Sequence, residues 1–333
     1  MKLFVYPQHK EKQIANPYTN NMEKALGTQF DLVHPEYPIR LPQPFRFFLN
    51  STKADVYVLN WIESANEGVR LPLLWGMMAW LALKIIILRK SKIVWIFHNI
   101  HPHGGETMWS KKIKKELFKK ATIIVSHSKE AAEFARHNAI CPVYFKNHPV
   151  KFVEYAEWHG EVYDCDYYIW GNIFPYKGVL EFVSNPLCKS SGRRILVVGK
   201  CDDEQLAKEI EQYSCKNVVF ENRCACFDEV SAQCKKAKYV LFPYVGESVS
   251  SSGALMDTLL MGGTPVGPNR GAFADLSEQG CCLTYENIDE VFSLPIREGA
   301  VVKLHKDNVE SFLRENSWNS FAKWLDDWID VHR

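Results

Sequence analysis

Residues 239–268 read YVLFPYVGESVSSSGALMDTLLMGGTPVGP. A β-favouring apolar run, Tyr239 to Phe242, breaks at Pro243 into a loop. A serine cluster then opens an apolar helix, Gly253 to Met261, which closes on Gly262 and Gly263. Ser250, Ser251 and Ser252 are N-cap residues, and Gly253 lets another group approach the backbone. Such a helix start presents unpaired N–H groups and partial positive charge, which suits a phosphate. Upstream, Gly171-Asn172-Ile173-Phe174-Pro175-Tyr176-Lys177-Gly178 forms a second strand-to-loop-to-helix junction and supplies a cation. Two anion-ready junctions in one half of the chain point to a diphosphate ligand.

Working outward, the same rhythm fills the chain. Strand-like runs occur at 3–7, 29–34, 54–60, 92–98, 122–126 and 142–146, with helical patterns between them. The second half repeats this with YYIWG, RILVVG, NVVFE, YVLFP, TPVG and CCLTY. Continuous apolar strands alternating with helices predict parallel sheets covered on both faces, an α/β chain of two tandem Rossmann-like domains. Ligands then belong at the carboxyl ends of the strands. The boundaries expected are 1–150, 151–316 and a last helix, 317–333, with Trp318, Phe321, Trp324, Leu325, Trp328 and Ile329 at helical spacing.

At 333 residues the chain is long enough for two such cores, and a formal net charge of +1 supplies no global field toward nucleic acid. Ten scattered cysteines without a Cys-x-x-Cys pair read as reduced, mostly buried thiols of a cytosolic protein. Zinc on Cys215, Cys224, Cys226 and Cys234 is disfavoured by the same spacing. The opening MKLFVYPQHK breaks at Pro7 and does not read as a signal peptide. The longest apolar run, Leu71 to Leu88, carries Pro72, Gly76 and Lys84, and its strand-like flanks make it a buried crossover helix, with a membrane-dipping helix as the rival.

Three features stand together along the chain: the Pro-Tyr-Lys-Gly turn at 175–178, the serine-glycine helix start at 250–253, and the His98-Asn99 pair ending a strand. On them the chain resembles the GT-B glycosyltransferases, especially the family 4-like enzymes of exopolysaccharide and lipid-linked glycan synthesis. The resemblance implies two domains facing a cleft, the first binding acceptor, the second a nucleotide sugar, and the last helix returning to the first. It implies a cytosolic hexosyltransferase of polysaccharide biosynthesis, moving a sugar from a nucleotide diphosphate to an acceptor hydroxyl. No cofactor or metal is implied, the nucleotide sugar being a co-substrate, and no Gly-x-Gly-x-x-Gly follows any strand to hold NAD or FAD.

Residue by residue, Lys177, read as lying in the first turn of a helix, is expected to hold the diphosphate and to neutralise the leaving group. Gly171, Asn172, Gly199, Ser250, Ser251, Ser252 and Gly253 line the donor site. Asn172 stands where many relatives have arginine. Asp257 faces the ribose, Glu247 the donor sugar, and Asn222 and Arg223 the nucleobase. His98 faces the transferred sugar or acts as base. Asn16, Tyr18, Asn20, His101 and His103 are candidate acceptor contacts, and the three close histidines also admit a metal site. Lys111, Lys112, Lys114, Lys115, Lys119 and Lys120 surround Ile113, Leu117 and Phe118 on one helix. It is either a solvated helix or a basic surface resting on anionic lipid, beside a polyprenyl-linked acceptor. A sugar-nucleotide epimerase of the same fold and a non-catalytic partner subunit stay open. Nucleobase, sugar, acceptor and stereochemistry are not legible.

Overall fold

The near-continuous apolar runs become strands because both faces of each are covered. The computed structural model describes residues 1–8, 17–34, 41–65, 71–100, 106–151, 163–246, 251–297 and 299–332. Two units emerge, Met1–Lys151 with Asn316–Arg333, and Phe152–Glu315.

In the first unit the strands are β1 (Lys2–Tyr6), β2 (Asp31–Leu32), β3 (Val56–Asn60), β4 (Lys92–Phe97), β5 (Ile123–Ser126) and β6 (Val143–Phe145). Their order is β2-β1-β3-β4-β5-β6, and every pairing is parallel. All five residues of β3 are buried, as a central parallel strand requires. Helices Gln43–Asn50, Pro72–Leu88 and Met108–Lys120 cover one face through Phe47, Ala79, Leu83, Ile86, Ile113 and Leu117. Helices Pro17–Leu26 and Trp318–Val331 cover the other, where Tyr18 and Met22 meet Trp318, Phe321, Leu325 and Ile329. Ser317 caps that last helix, its hydroxyl accepting from the Ser320 N–H.

The second unit contains β7 (Cys165–Trp170), β8 (Ile195–Val198), β9 (Val218–Glu221), β10 (Ala237–Leu241), β11 (Pro265–Pro268) and β12 (Leu283–Tyr285). The order β9-β8-β7-β10-β11-β12, again parallel throughout, reverses between β7 and β10. Both sequence junctions lie after those two strands, at the point where doubly wound sheets hold ligands.

Two local readings are corrected. The strand pattern at 29–34 contracts to two paired residues, because the helix before it runs on into a turn that ends at Phe30. The crossover helix Pro72–Leu88 exists, but only one face is buried, by Gly76, Ala79, Ala82, Leu83 and Ile86; Leu73, Leu74, Met77, Leu81 and Leu88 are exposed. Periodicity cannot show this, since both faces are apolar.

Candidate functional site

In the second unit, β7 ends in Gly171 at φ +94°, and the chain turns through a short 3₁₀ segment, Pro175–Lys177. Gly178, at φ +65°, stops that turn before the helix Val179–Val183 starts. Lys177 therefore precedes the helix rather than sitting in its first turn, as its sequence context suggested. Its Nζ folds back to lie 3.7 Å from where a Cβ on Gly171 would stand, and 5.9 Å from the centre of the Tyr244 ring. Burial pulls the ammonium down to about 8.

The treatment of other shielded lysines makes Lys177 unusual. Lys238 reaches Asp166 at 2.7 Å, and Lys114 donates to the Ile100 carbonyl at 2.8 Å and to Glu106 at 3.3 Å. No carboxylate among the described residues pairs with Lys177. Tyr244 links it to the second junction, its hydroxyl 3.4 Å from Ser252 Oγ. Ser252 is the N-cap of helix Gly253–Leu260, accepting from the Leu255 N–H at 3.3 Å. Trp170 Nε1 donates to Thr258 Oγ1 at 3.0 Å, which ties that helix to the end of β7. Asp257, on the same helix, is half-buried, and burial raises its carboxyl to about 6. Ser251 is half-buried and Gly253 exposed at the helix start, while Glu247 and Ser250 lie outside the described residues.

Gly178 and Gly199 serve close backbone packing. A Cβ on Gly178 would fall 2.0 Å from the Pro243 carbonyl oxygen, and one on Gly199 2.1 Å from that of Gly171. Gly178→Ala is expected to cost at least about 2 kcal/mol, with the urea midpoint lowered and the slope unchanged. Gly192, at φ +68° with nothing within 4 Å, is the control, and its alanine variant should lose only about 1 kcal/mol.

The expected nucleobase residues are engaged locally. Asn222 clasps the Cys201 backbone, accepting from its N–H at 2.9 Å and donating to its carbonyl at 3.3 Å. Arg223 is exposed and held by Glu221 and Glu229, its Nε 2.7 Å from Glu221 and its Nη1 2.9 Å from Glu229. Asn172 is exposed. The sequence reading missed Tyr244 and Arg270. Arg270 follows β11, donates from Nη2 to the Tyr244 carbonyl at 2.8 Å, and keeps a buried Nε without a partner. Position just past a strand's carboxyl end was the available signal for both. Phe174 and Tyr176, exposed with nearly parallel rings 5.9 Å apart, stand at the start of the lysine turn and within it.

In the first unit, an aromatic cluster gathers where β3, β4, β5 and β6 end. His98 is 1% exposed, its ring stacked on Trp61 with centroids 4.0 Å apart. Asn60 Nδ2 donates to the Tyr6 carbonyl, so its Oδ1 accepts from His98 Nε2 at 3.2 Å. That assignment leaves His98 Nδ1 buried with a bare lone pair. His127 Nδ1 donates to the Lys146 carbonyl at 2.8 Å, so its Nε2 accepts from the Tyr18 hydroxyl at 2.7 Å. His148 donates from Nδ1 to the Pro149 carbonyl. All three imidazoles are held neutral by burial: His98 well below the ordinary histidine range, His127 at about 4 and His148 at about 3.

Tyr18, expected to touch acceptor, lies at the centre of this cluster with its hydroxyl spent on His127. Asn20, two residues further along the helix and so on another face, lines a different groove with Gln8, Glu23, Lys24 and Asp31. Asn16, His101 and His103 lie outside the described residues. His98 meets His127, which in turn meets His148, and the sequence reading missed both; each follows the end of a strand, as His98 does. Trp61 was missed too, and its left-handed backbone, φ 48°, is strained for an aromatic residue. Among the described residues no group of three His, Cys, Asp or Glu is arranged to hold a metal. Cys234 is buried whereas Cys215, Cys224 and Cys226 are exposed.

Compared with solved structures, the chain aligns over its whole length. It is similar to Anabaena HepE in complex with UDP-glucose, at TM-score 0.68 and 10% identity over 99% of both chains. Sucrose-phosphate synthase from Thermosynechococcus elongatus aligns at TM-score 0.70 and 11% identity, over 99% of this chain and 98% of that one. The fold is GT-B. The lipopolysaccharide outer core galactosyltransferase WaaB aligns likewise, at TM-score 0.65 and 12% identity over 100% of both chains. No protein-family model and no curated protein sequence matches the chain. At these identities the likeness concerns architecture.

Proposed function

We propose that the chain is a glycosyltransferase that takes a sugar from a nucleotide diphosphate and passes it to a hydroxyl of a glycan or lipid-linked acceptor. The observation that carries this reading is the half-buried Lys177, which pairs with no carboxylate among the described residues, at the point where the second sheet reverses its strand order. A shielded ammonium of this kind is completed by an anion, and a diphosphate offers two. Similar folds with UDP-glucose bound, as in HepE, support the nucleotide sugar as that anion's source.

On this reading, Lys177 meets the diphosphate and takes up charge as the glycosidic bond breaks and the nucleotide leaves. The helix start at Ser251–Gly253 adds backbone N–H groups. Arg270, held behind Tyr244, supplies a second cation where Asn172 supplies none. Asp257 accepts from ribose hydroxyls, and does so best above its pKa of about 6. His98 is assigned to the sugar as a neutral acceptor through its bare Nδ1, with Asn60 fixing the tautomer. Polysaccharide synthesis is the setting that an acceptor glycan implies.

A thermal-shift screen across UDP-, GDP-, ADP- and CMP-sugars tests the proposal. One donor at about 100 times its dissociation constant should stabilise the protein by about 2.7 kcal/mol. No shift with any of the four, at millimolar concentration, would sink it.

A further inference from the structure

An ordinary surface helix turns charges outward. Helix Pro72–Leu88 turns out Leu73, Leu74, Met77, Leu81 and Leu88 instead, with Leu73 69% and Leu88 80% exposed. Leu74, Met77, Leu81 and Leu88 recur at helical spacing along one stripe, opposite the stripe that packs on the sheet. Such a row exceeds the scattered exposed leucines of a typical surface.

Beside it lies helix Met108–Lys120. Trp109 presses on the helix at Gly76, where a Cβ would sit 2.5 Å from the indole, and Lys84 pairs with Glu116 at 2.8 Å. This neighbour exposes Met108, Lys111, Lys112, Lys115, Lys119 and Lys120. The acids of these two segments among the described residues are already engaged, Glu116 by Lys84 and Glu106 by Lys111 and Lys114. Lys114 itself is buried and ties down a loop, so it leaves the basic set that the sequence suggested. Lys112, whose Nζ lies 4.7 Å from the centre of the Trp109 ring, Lys115 and Lys119, at i, i+3 and i+7, pair with no carboxylate among the described residues and make a cationic stripe on the helix beside the leucines.

We infer that these two helices form one docking face for an anionic lipid bilayer, the leucine stripe entering the acyl boundary and the lysines meeting the headgroups. Apolar residues flanked by exposed lysines are the chemistry of interfacial binding, and the charge selects acidic lipid over another protein's apolar surface. No helix of the described residues is long and apolar enough to cross a membrane, so the helix lies on the surface. The inference deepens the acceptor side of the proposed function by placing the first unit on the membrane, and it rests on residues remote from Lys177 in sequence.

Cosedimentation with phosphatidylcholine vesicles, with and without phosphatidylglycerol, tests it. The protein should pellet with the anionic vesicles and be released by salt. Leu74→Glu with Leu81→Glu should abolish pelleting. Lys112→Ala with Lys119→Ala should weaken it by about thirtyfold, the loss of two headgroup cations. Leu81→Ser serves if the glutamate pair fails to fold. Nucleotide-sugar stabilisation should be unchanged in all these variants, so a failure here is separable from failure of the donor site. Absent pelleting, or pelleting that the leucine variants do not reduce, overturns the inference. A dimer in solution that Leu81→Ser dissociates, without vesicle binding, also overturns it and makes the face a self-interface.

Discussion

Lys177→Ala is expected to remove most of the stabilisation by nucleotide sugar and to lower kcat by about a hundred- to a thousandfold, the range for losing one preorganised charge on a developing anion. The same substitution should leave the unliganded protein as stable or more so at neutral pH. The unfolded chain keeps the lysine proton up to the ordinary value of 10.5, whereas the folded protein releases it near 8. Between those values the unfolded state binds more protons, so stability rises with pH. Below about 8 the buried charge is a net cost, on the order of 1 kcal/mol after allowance for its partial exposure. Donor affinity runs the other way. It is full below about 8, where the ammonium is charged, and falls as the pH rises beyond. Calorimetric titration of donor at several pH values, beside urea unfolding of the free protein, reads both trends. Donor affinity that is flat from pH 7 to 10 would remove Lys177 from the site.

The second large effect is acid unfolding of the first unit. His127 and His148 titrate near 4 and 3 when folded, against 6.5 when unfolded. Below 6.5 the unfolded chain therefore binds more protons, and stability present above that value is lost as the pH falls. By about pH 4 each histidine withdraws on the order of 3 kcal/mol, together a large part of a domain's usual stability. Tryptophan fluorescence should follow the transition, since Trp61 and Trp318 lie against the cluster. His127→Gln can still accept from Tyr18 and donate to the Lys146 carbonyl. It should cost about 1–2 kcal/mol at pH 7 and move the acid midpoint to lower pH. An unchanged midpoint would show that the histidine cluster does not govern acid stability.

The two parallel sheets were legible because a strand buried on both faces must be apolar throughout, and runs such as VYVLN and KIVWIF admit little else. The cap at Ser252 and the close turn at Gly178 were legible for a related reason. Capping and a proline-to-glycine turn are local chemistry, written in a few adjacent residues. Lys177 was found as a residue, but its place before the helix depended on the conformation of Gly178.

What only the tertiary structure decided is whatever joins distant segments or separates solvent from core. His98, His127 and His148 end three different strands, and the sheet order alone brings them to one edge. Arg270 reaches Tyr244 only because β11 lies beside β10. Asn222 and Arg223 look like ligand residues until their backbone and carboxylate partners are seen. The helix at 72–88 shows the same limit most plainly. Apolar on all sides, it carries no periodic signal of which face meets water, and that depends on what the fold packs against it.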